Sequence, residues 1–543
     1  MKSRCISVLL VSIMLITLIH FSGNTTAILT QSELADWTFL IFFSADNNLD
    51  SDAIDDLNEL EMVGSTAEVQ VLVLIDTRNQ PAYLYHVVQD DDPDVISSTI
   101  LTDTGIASEP DMGDPQVLKQ FIDYGLTHFP AEHVMLVIWD HGQGFRGVSY
   151  DYASRSHMSI NGIREALNGI HVDILIFDAC LMGMLEVAYE FRDLADYIVF
   201  SEEELPTDGL PYDELLYFIT TSPSISPLTY ANKLVDLYIN SYNGGSQGYY
   251  SYVTLSAIQT SELGQLCEEL NELTLLLCSD DNYSVYATYA RFAADHPETQ
   301  STFIDLGDFL TQLQNLSGGF PLLLSQINKT LASLQQVILS EGSLDDHPLM
   351  TGLTFYFPDI TGSYTVPASY TALAFTKDFE WGQFLQDCLN EDWQDQDSPV
   401  IHFYSLKPKQ ITDLTPVQVV FSASDDLGVT SPQVAYRFGA NPFQYLHAEL
   451  VNGTLRNGIF TASIPALGTE AIDKKLEIIC LIRDIVGNTD LLEMEMYVSR
   501  DNRTASGFPI DLSILGLGMI VAIPFLFIVM YVISRKITKN ING

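Results

Sequence analysis

Two short stretches carry the side chains best suited to covalent chemistry. Trp139-Asp140-His141-Gly142-Gln143-Gly144 closes one apolar run, and Phe177-Asp178-Ala179-Cys180-Leu181-Met182-Gly183 closes another, with 39 positions between His141 and Cys180. A thiol beside an imidazole is a nucleophile with its base or counter-ion. Gly142 and Gly144 let the chain turn sharply and leave amide N–H groups open, as an oxyanion hole for acyl transfer requires. A helix expected to begin near Met182 would aim its positive end at the Cys180 sulfur and favour the thiolate. Taken singly, a lone buried Cys is more often a small hydrophobe and a lone His a structural residue. Their joint placement after two apolar runs, each with glycines beside it, is what points to a hydrolase.

That reading needs elements that bring the two motifs together. Thr38–Phe43, Val69–Ile75, His133–Trp139, Val172–Phe177 and Tyr197–Phe200 are continuous apolar runs, and Asp52–Met62, Pro115–Phe129, Ile160–Leu167 and Met182–Leu194 carry helical periodicity. Runs that are apolar throughout, rather than alternating, predict strands covered on both faces, hence an α/β fold with a mostly parallel sheet sandwiched by helices. Ligands in such sheets bind at the carboxyl ends of the strands, where both motifs fall. Residues 225 to 345 read as mainly helical, and Gly352–Phe357 as a late strand of the same sheet.

Asp140-His141-Gly142-x-Gly144 and Phe177-Asp178-Ala179-Cys180-Leu181-Met182-Gly183-x-x-Glu186-Val187-Ala188-Tyr189-Glu190 resemble the two catalytic motifs of the clostripain-like cysteine peptidases, relatives of caspases and gingipains. Ser44-Ala45-Asp46-Asn47-Asn48-Leu49, Asp55-Asp56-Leu57-Asn58-Glu59-Leu60 and Gly352–Pro358 followed by Trp381-x-x-Phe384-Leu385 agree with it, so the resemblance spans residues 36–389. It implies a caspase-like domain in which His141 polarises the scissile carbonyl or protonates the leaving amine and Cys180 forms the acyl-enzyme. The implied oxyanion donors are the backbone amides of Gly142 and Cys180. It also implies cleavage after Arg or Lys, with Asp178 and Asp208 as the acids of the first specificity pocket. A buried carboxylate does select a basic side chain by charge-assisted hydrogen bonding and reject neutral ones. The plainer readings are a loop or cap carboxylate for Asp178 and an exposed turn residue for Asp208. No cofactor is required; some relatives depend on calcium, and Asp46-Asn47-Asn48-x-Asp50-x-Asp52 alternates oxygen ligands but lacks the glycine and terminal Glu of an EF-hand loop. A helix N-terminus with acidic first-turn residues explains that segment more simply. Relatives are often activated by self-cleavage at a basic residue; Arg146 and Arg155 qualify by charge alone. Glu202-Glu203-Glu204 reads as a solvated face.

The remaining organisation follows from composition. With 24 Lys and Arg against 71 Asp and Glu, a net charge of −47 excludes a nucleic-acid partner, since phosphate binding depends on clustered cations. Hydrophobic residues at 47% supply enough apolar surface for folded cores and exclude global disorder. Residues 1–27 carry Lys2 and Arg4 before an apolar run from Ile6 to Ile19, a signal-peptide pattern. Residues 512–533 are expected to form a transmembrane helix, with Arg535, Lys536 and Lys539 in a cytoplasmic tail at 534–543. Between them, residues 399–499 show short alternating segments with turn residues, as in a small immunoglobulin- or fibronectin-like β-sandwich. The expected protein is thus a single-pass cell-membrane peptidase with its catalytic domain outside the cell, acting on basic peptides or proteins. Its rivals are a non-catalytic surface peptide-binding or adhesion protein on the same fold, and a hydrolase specific for acidic residues.

Overall fold

The computed structural model describes residues 34–500 apart from 94, 280, 318–319, 345–349, 359–364, 391–397, 426–427, 454–456 and 485–487. The expected signal peptide (1–27), transmembrane helix (512–533) and tail (534–543) lie outside the described residues. Among the described residues no helix is long and apolar enough to cross a membrane.

The central sheet has nine strands: β1 (Ala35–Ala45), β2 (Val69–Thr77), β3 (Gln80–His86), β4 (Thr99–Ile100), β5 (Ala131–Trp139), β6 (Val172–Asp178), β7 (Ala195–Phe200), β8 (Thr254–Gln259) and β9 (Ile338–Ser343). Their order is β9-β8-β7-β6-β5-β1-β2-β3-β4. The run β2-β1-β5-β6-β7 is parallel, and the strands on either flank pair antiparallel. Each parallel strand coincides with one of the apolar runs, because both of its faces are covered. Leu40, Phe42, Leu136 and Leu175 pack into the core on one side, and Phe39, Ile41, Val137 and Ile176 into the core on the other. Helices α1 (Asp50–Glu61), α2 (Pro115–His128) and α3 (Ile160–Ala166) form where helical periodicity predicts them. Asp114 and Ser159 cap α2 and α3 by accepting backbone N–H bonds, the usual remedy for unpaired donors at a helix start.

Two expectations need correction. Met182–Leu194 is not one long helix; α4 covers only Leu185–Glu190, since Gly183 pairs its N–H with Ser201 O at 2.7 Å and its carbonyl with Thr354 N at 2.8 Å, which holds the chain extended. Gly352–Phe357 does not extend the central sheet. Thr354–Tyr356 pairs antiparallel with Phe303–Asp305 in a separate two-stranded ribbon, after a turn at Gly352, whose φ is +102°. Residues 225 to 345 are mainly helical, as expected, and also hold two further strands of the central sheet, β8 and β9.

Residues 400–497 form two four-stranded antiparallel sheets, one from Val400–Lys407, Val417–Ser424, Asn457–Ile464 and Glu449–Gly453, the other from Gln444–His447, Val429–Phe438, Lys475–Asp484 and Thr489–Tyr497. Alternate residues such as Val417, Val419, Phe421, Ile478, Cys480 and Ile482 face a common apolar core, as in a β-sandwich.

Candidate active site

β5 and β6 are neighbours in register, Trp139 opposite Asp178, and the Asp140 N–H donates to Asp178 O at 3.2 Å. Two residues beyond this pair the chains reach His141 and Cys180, so both motifs leave the sheet side by side at its carboxyl edge.

The His141 loop is held by buried polar groups. Asp140, 4% exposed, accepts from Asn47 Nδ2 at 2.7 Å on one oxygen and from the Tyr150 N–H on the other. Asn47 Nδ2 also reaches Ser44 O and Tyr150 O, each at 2.9 Å, while its Oδ1 accepts the Leu49 N–H at 2.8 Å. One fully buried amide therefore ties the end of β1, the His141 loop and the hairpin of Val148–Asp151 and Ser156–Met158. His141 is half-buried; its Nε2 lies 3.0 Å from Asn48 Oδ1.

The Cys180 loop is pinned on its other side. Leu181, with φ +64°, donates its N–H to Glu203 O at 3.0 Å, so the residue after the thiol stands in the left-handed region that non-glycine residues rarely enter. The sulfur is 3.9 Å from Leu205 O. Position 142 must be glycine, since a Cβ there would come within 2.4 Å of Cys180 O and 3.0 Å of Cys180 N. Burial pushes the thiol up to about 11, and burial pulls the His141 imidazole below its usual value against the opposing field of Glu204. At neutral pH the resting pair is thiol and neutral imidazole. The expected helix-dipole assistance does not arise, because α4 begins five residues after Cys180 and is only six residues long.

Beneath the loop lie two buried carboxyls, those of Asp178 and Asp56. Asp178, 4% exposed, accepts on Oδ2 from Tyr212 Oη at 2.7 Å and from Leu210 N at 3.4 Å. Asp56, 3% exposed and on α1, accepts on Oδ2 from Trp139 Nε1 at 2.7 Å. The two carboxylates share one wall: a Cβ at Gly209 (φ +56°) would stand 3.2 Å from Asp178 Oδ2 and 3.5 Å from Asp56 Oδ2. Burial, opposed by the Tyr212 and Leu210 hydrogen bonds, leaves Asp178 pushed up to about 6; burial and the Asp178 charge hold Asp56 well above its ordinary value. Among the described residues no ion pair involves either acid. Asp208 is exposed on the adjoining turn, where its carbonyl accepts Gln247 Nε2 at 3.1 Å, and its charge helps raise Asp52 and Glu59.

The Glu202–Glu204 run is not a solvated face. Glu202 and Glu203 are each 2% exposed; Glu202 Oε2 accepts Gly352 N at 2.8 Å, and Glu203 Oε1 accepts Glu298 N at 2.7 Å. Only Glu204 is exposed, and its field reaches both His141 and Cys180. The Asp46–Asp52 segment does not fit a calcium loop. Asp46 Oδ2 accepts Ala153 N at 2.9 Å, whereas Asp50 and Asp52 sit in the first turn of α1. Among the described residues no group of three or more His, Cys, Asp or Glu side chains is arranged to hold a metal ion. Arg146 stacks its guanidinium on Phe145 and Phe303, 4.8 and 5.3 Å from the ring centroids, while Arg155 is exposed at the tip of the hairpin.

Against this geometry the comparisons with known proteins are consistent. The clostripain family model matches residues 41–393, well over half of the chain, and the chain belongs to this family of cysteine peptidases. Clostripain of Hathewaya histolytica is 28% identical over 217 residues, covering 33% of this chain and 41% of clostripain's length. Thus the matched stretch spans less than half of that relative. An inactive zymogen protease from Parabacteroides distasonis superposes with a TM-score of 0.50 at 22% identity, over 64% of this chain and 98% of that one. A secreted cysteine protease from Bacteroides thetaiotaomicron gives 0.50 at 16%, over 65% and 99%. These two likenesses bear on the fold.

Asn48, Asp56, Trp139 and Tyr212 escaped the reading of the sequence as site residues. The first two stood inside matched segments with no role attached. Trp139 read as the end of a buried strand and Tyr212 drew no reading; their polar atoms, which must find partners when buried, were the one available signal.

Proposed function

We propose that the chain is a membrane-anchored endopeptidase that cleaves after Arg or Lys through a His141/Cys180 dyad. The observation that carries this reading is the register of β5 on β6, which sets the two motifs side by side with Gly142 packed against the Cys180 backbone. The sulfur attacks the scissile carbonyl carbon as its proton passes to His141. The oxygen of the tetrahedral intermediate is held by the amides of Gly142 and Cys180. His141 then protonates the leaving amine, the C–N bond breaks, and a thioester remains. Water, deprotonated by His141, attacks that thioester and releases the acid and the thiol.

The specificity argument rests on Asp178 and Asp56 beneath Gly209, with Asp208 at the rim. Two buried carboxyls without a cation favour a substrate that brings one, and repel an acidic residue. Membrane attachment is supported by the charge-free run Ile514–Ile533 followed by Arg535, Lys536 and Lys539, which orients residues 28 to 508 outside the cell. The test is turnover of paired fluorogenic peptides ending in Arg or in a neutral isostere. Turnover of the Arg peptide should vanish in Cys180→Ala and on thiol alkylation; activity surviving in Cys180→Ala overturns the reading.

A further inference from the structure

We infer that Asn48 is a positioning residue for His141, turning the dyad into a Cys180–His141–Asn48 relay. This rests on the dyad reading above. Asn48 Oδ1 lies 3.0 Å from His141 Nε2 and 2.9 Å from Tyr152 Oη. A carboxamide oxygen has two lone pairs and donates nothing, so both neighbours must donate to it. That assignment fixes the tautomer: Nε2 carries the hydrogen, and Nδ1 is the nitrogen left to take the thiol proton and return it to the leaving amine.

The chain is built to hold this oxygen still. Asn47, the preceding residue, is fully buried and spends its amide on Ser44 O, Asp140 Oδ1, Tyr150 O and the Leu49 N–H, locking the loop between β1 and α1 onto the His141 loop. Tyr152 reaches Asn48 from the hairpin on the other side, where its own N–H donates to Asp46 O at 2.8 Å. The two asparagines thus divide the labour: one fastens the loops, the other presents an oxygen to the imidazole. A neutral acceptor suits a dyad that rests uncharged, because it orients the ring without drawing a proton onto it beforehand.

The test uses the full chain with Cys180→Ala as reference. Asn48→Ala should lower kcat about 10–100-fold with KM nearly unchanged, because the lost interaction acts on the reacting group and not on substrate binding. Asn48→Asp keeps the acceptor and adds a charge. It should recover much of kcat and move the His141 limb of the pH–rate profile up by about one unit. Asp140, Tyr150, Cys180 and Glu204, the other titratable groups around the ring, are the same in both Asn48 variants. Tyr152→Phe should cost about 2–5-fold in kcat, as expected for one neutral hydrogen bond. If Asn48→Ala keeps kcat within twofold, or Asn48→Asp leaves the His141 limb in place, the relay is wrong while the dyad stands. If Cys180→Ala stays active, the dyad itself is wrong.

Discussion

Two pairs of buried carboxyls lie near the Cys180 loop, and they are built differently. Glu202 and Asp305 sit behind the Cys180 loop among backbone donors. Glu202 takes Gly352 N, and Asp305 takes Asp308 N at its helix cap and both N and Oγ1 of Thr351. Asp56 and Asp178 sit below the loop and are held mainly by the polar tips of aromatic side chains, Trp139 Nε1 and Tyr212 Oη. Among the described residues no hydrogen bond reaches Asp178 Oδ1. In the first pair the acids are mortar between chain segments. Each pair keeps an oxygen that no hydrogen bond reaches among the described residues, Glu202 Oε1 behind the loop and Asp178 Oδ1 below it, and the charge of Asp178 acts on the Cys180 sulfur. Burial raises both pairs; under the proposed cleavage after Arg or Lys, the second would gain its positive partner from the substrate.

The contrast can be broken by removing charge from each pair in turn. Asp178→Asn should lower kcat/KM for Arg-ending peptides by about 10²–10³, the usual scale for losing one partner of a buried charge pair, while a neutral peptide is affected far less. Equal losses on both peptides would reduce Asp178 to a structural residue. Asp305→Ala should do the opposite. It removes a helix cap and strands Glu202, Thr351 and Asp308, for a stability loss of about 2–4 kcal/mol in urea titrations, with turnover per folded molecule retained.

Acidity sharpens the comparison further. With Asp178 pushed up to about 6, kcat/KM for Arg peptides should fall roughly tenfold per pH unit below that value as the pocket loses its charge. Asp178→Asn should lack this limb. The smallest effect concerns Glu202, which burial and the neighbouring Asp305 hold well above its ordinary value. The folded chain keeps that proton where the unfolded chain has lost it, so the native state binds more protons and stability declines as pH rises from about 4.3. Glu202→Gln should flatten the decline by at most about 1.4 kcal/mol per pH unit, measured by denaturation at several pH values. An unchanged slope would mean Glu202 is ionised in the fold.

The sheet and its two reactive edges were legible because parallel strands covered on both faces leave continuous apolar runs, and Asp-His-Gly and Asp-Ala-Cys end two of them. Thr254–Gln259 and Ile338–Ser343 were hidden by their own composition: ILSEGS is a flank strand with partly exposed residues, and nothing in its pattern separates it from the helices around it. Gly352–Phe357 misled for the converse reason. It is as apolar as a central strand, yet it spends that surface against Phe303, Phe309 and Trp381. Position alone could not reveal that Asn48, 93 residues before His141, returns to touch it. Likewise Asp56 and Tyr212 reach the pocket through topology, from helices on one side of the sheet.

The high titration point of the Cys180 thiol has a consequence for durability. Oxidants and simple alkylators attack the anion, so a thiol that burial pushes up to about 11 is slow to sulfenylate at neutral pH. Under the proposed cleavage after Arg or Lys, electrophiles that carry a cationic side chain would be the reagents that inactivate it quickly.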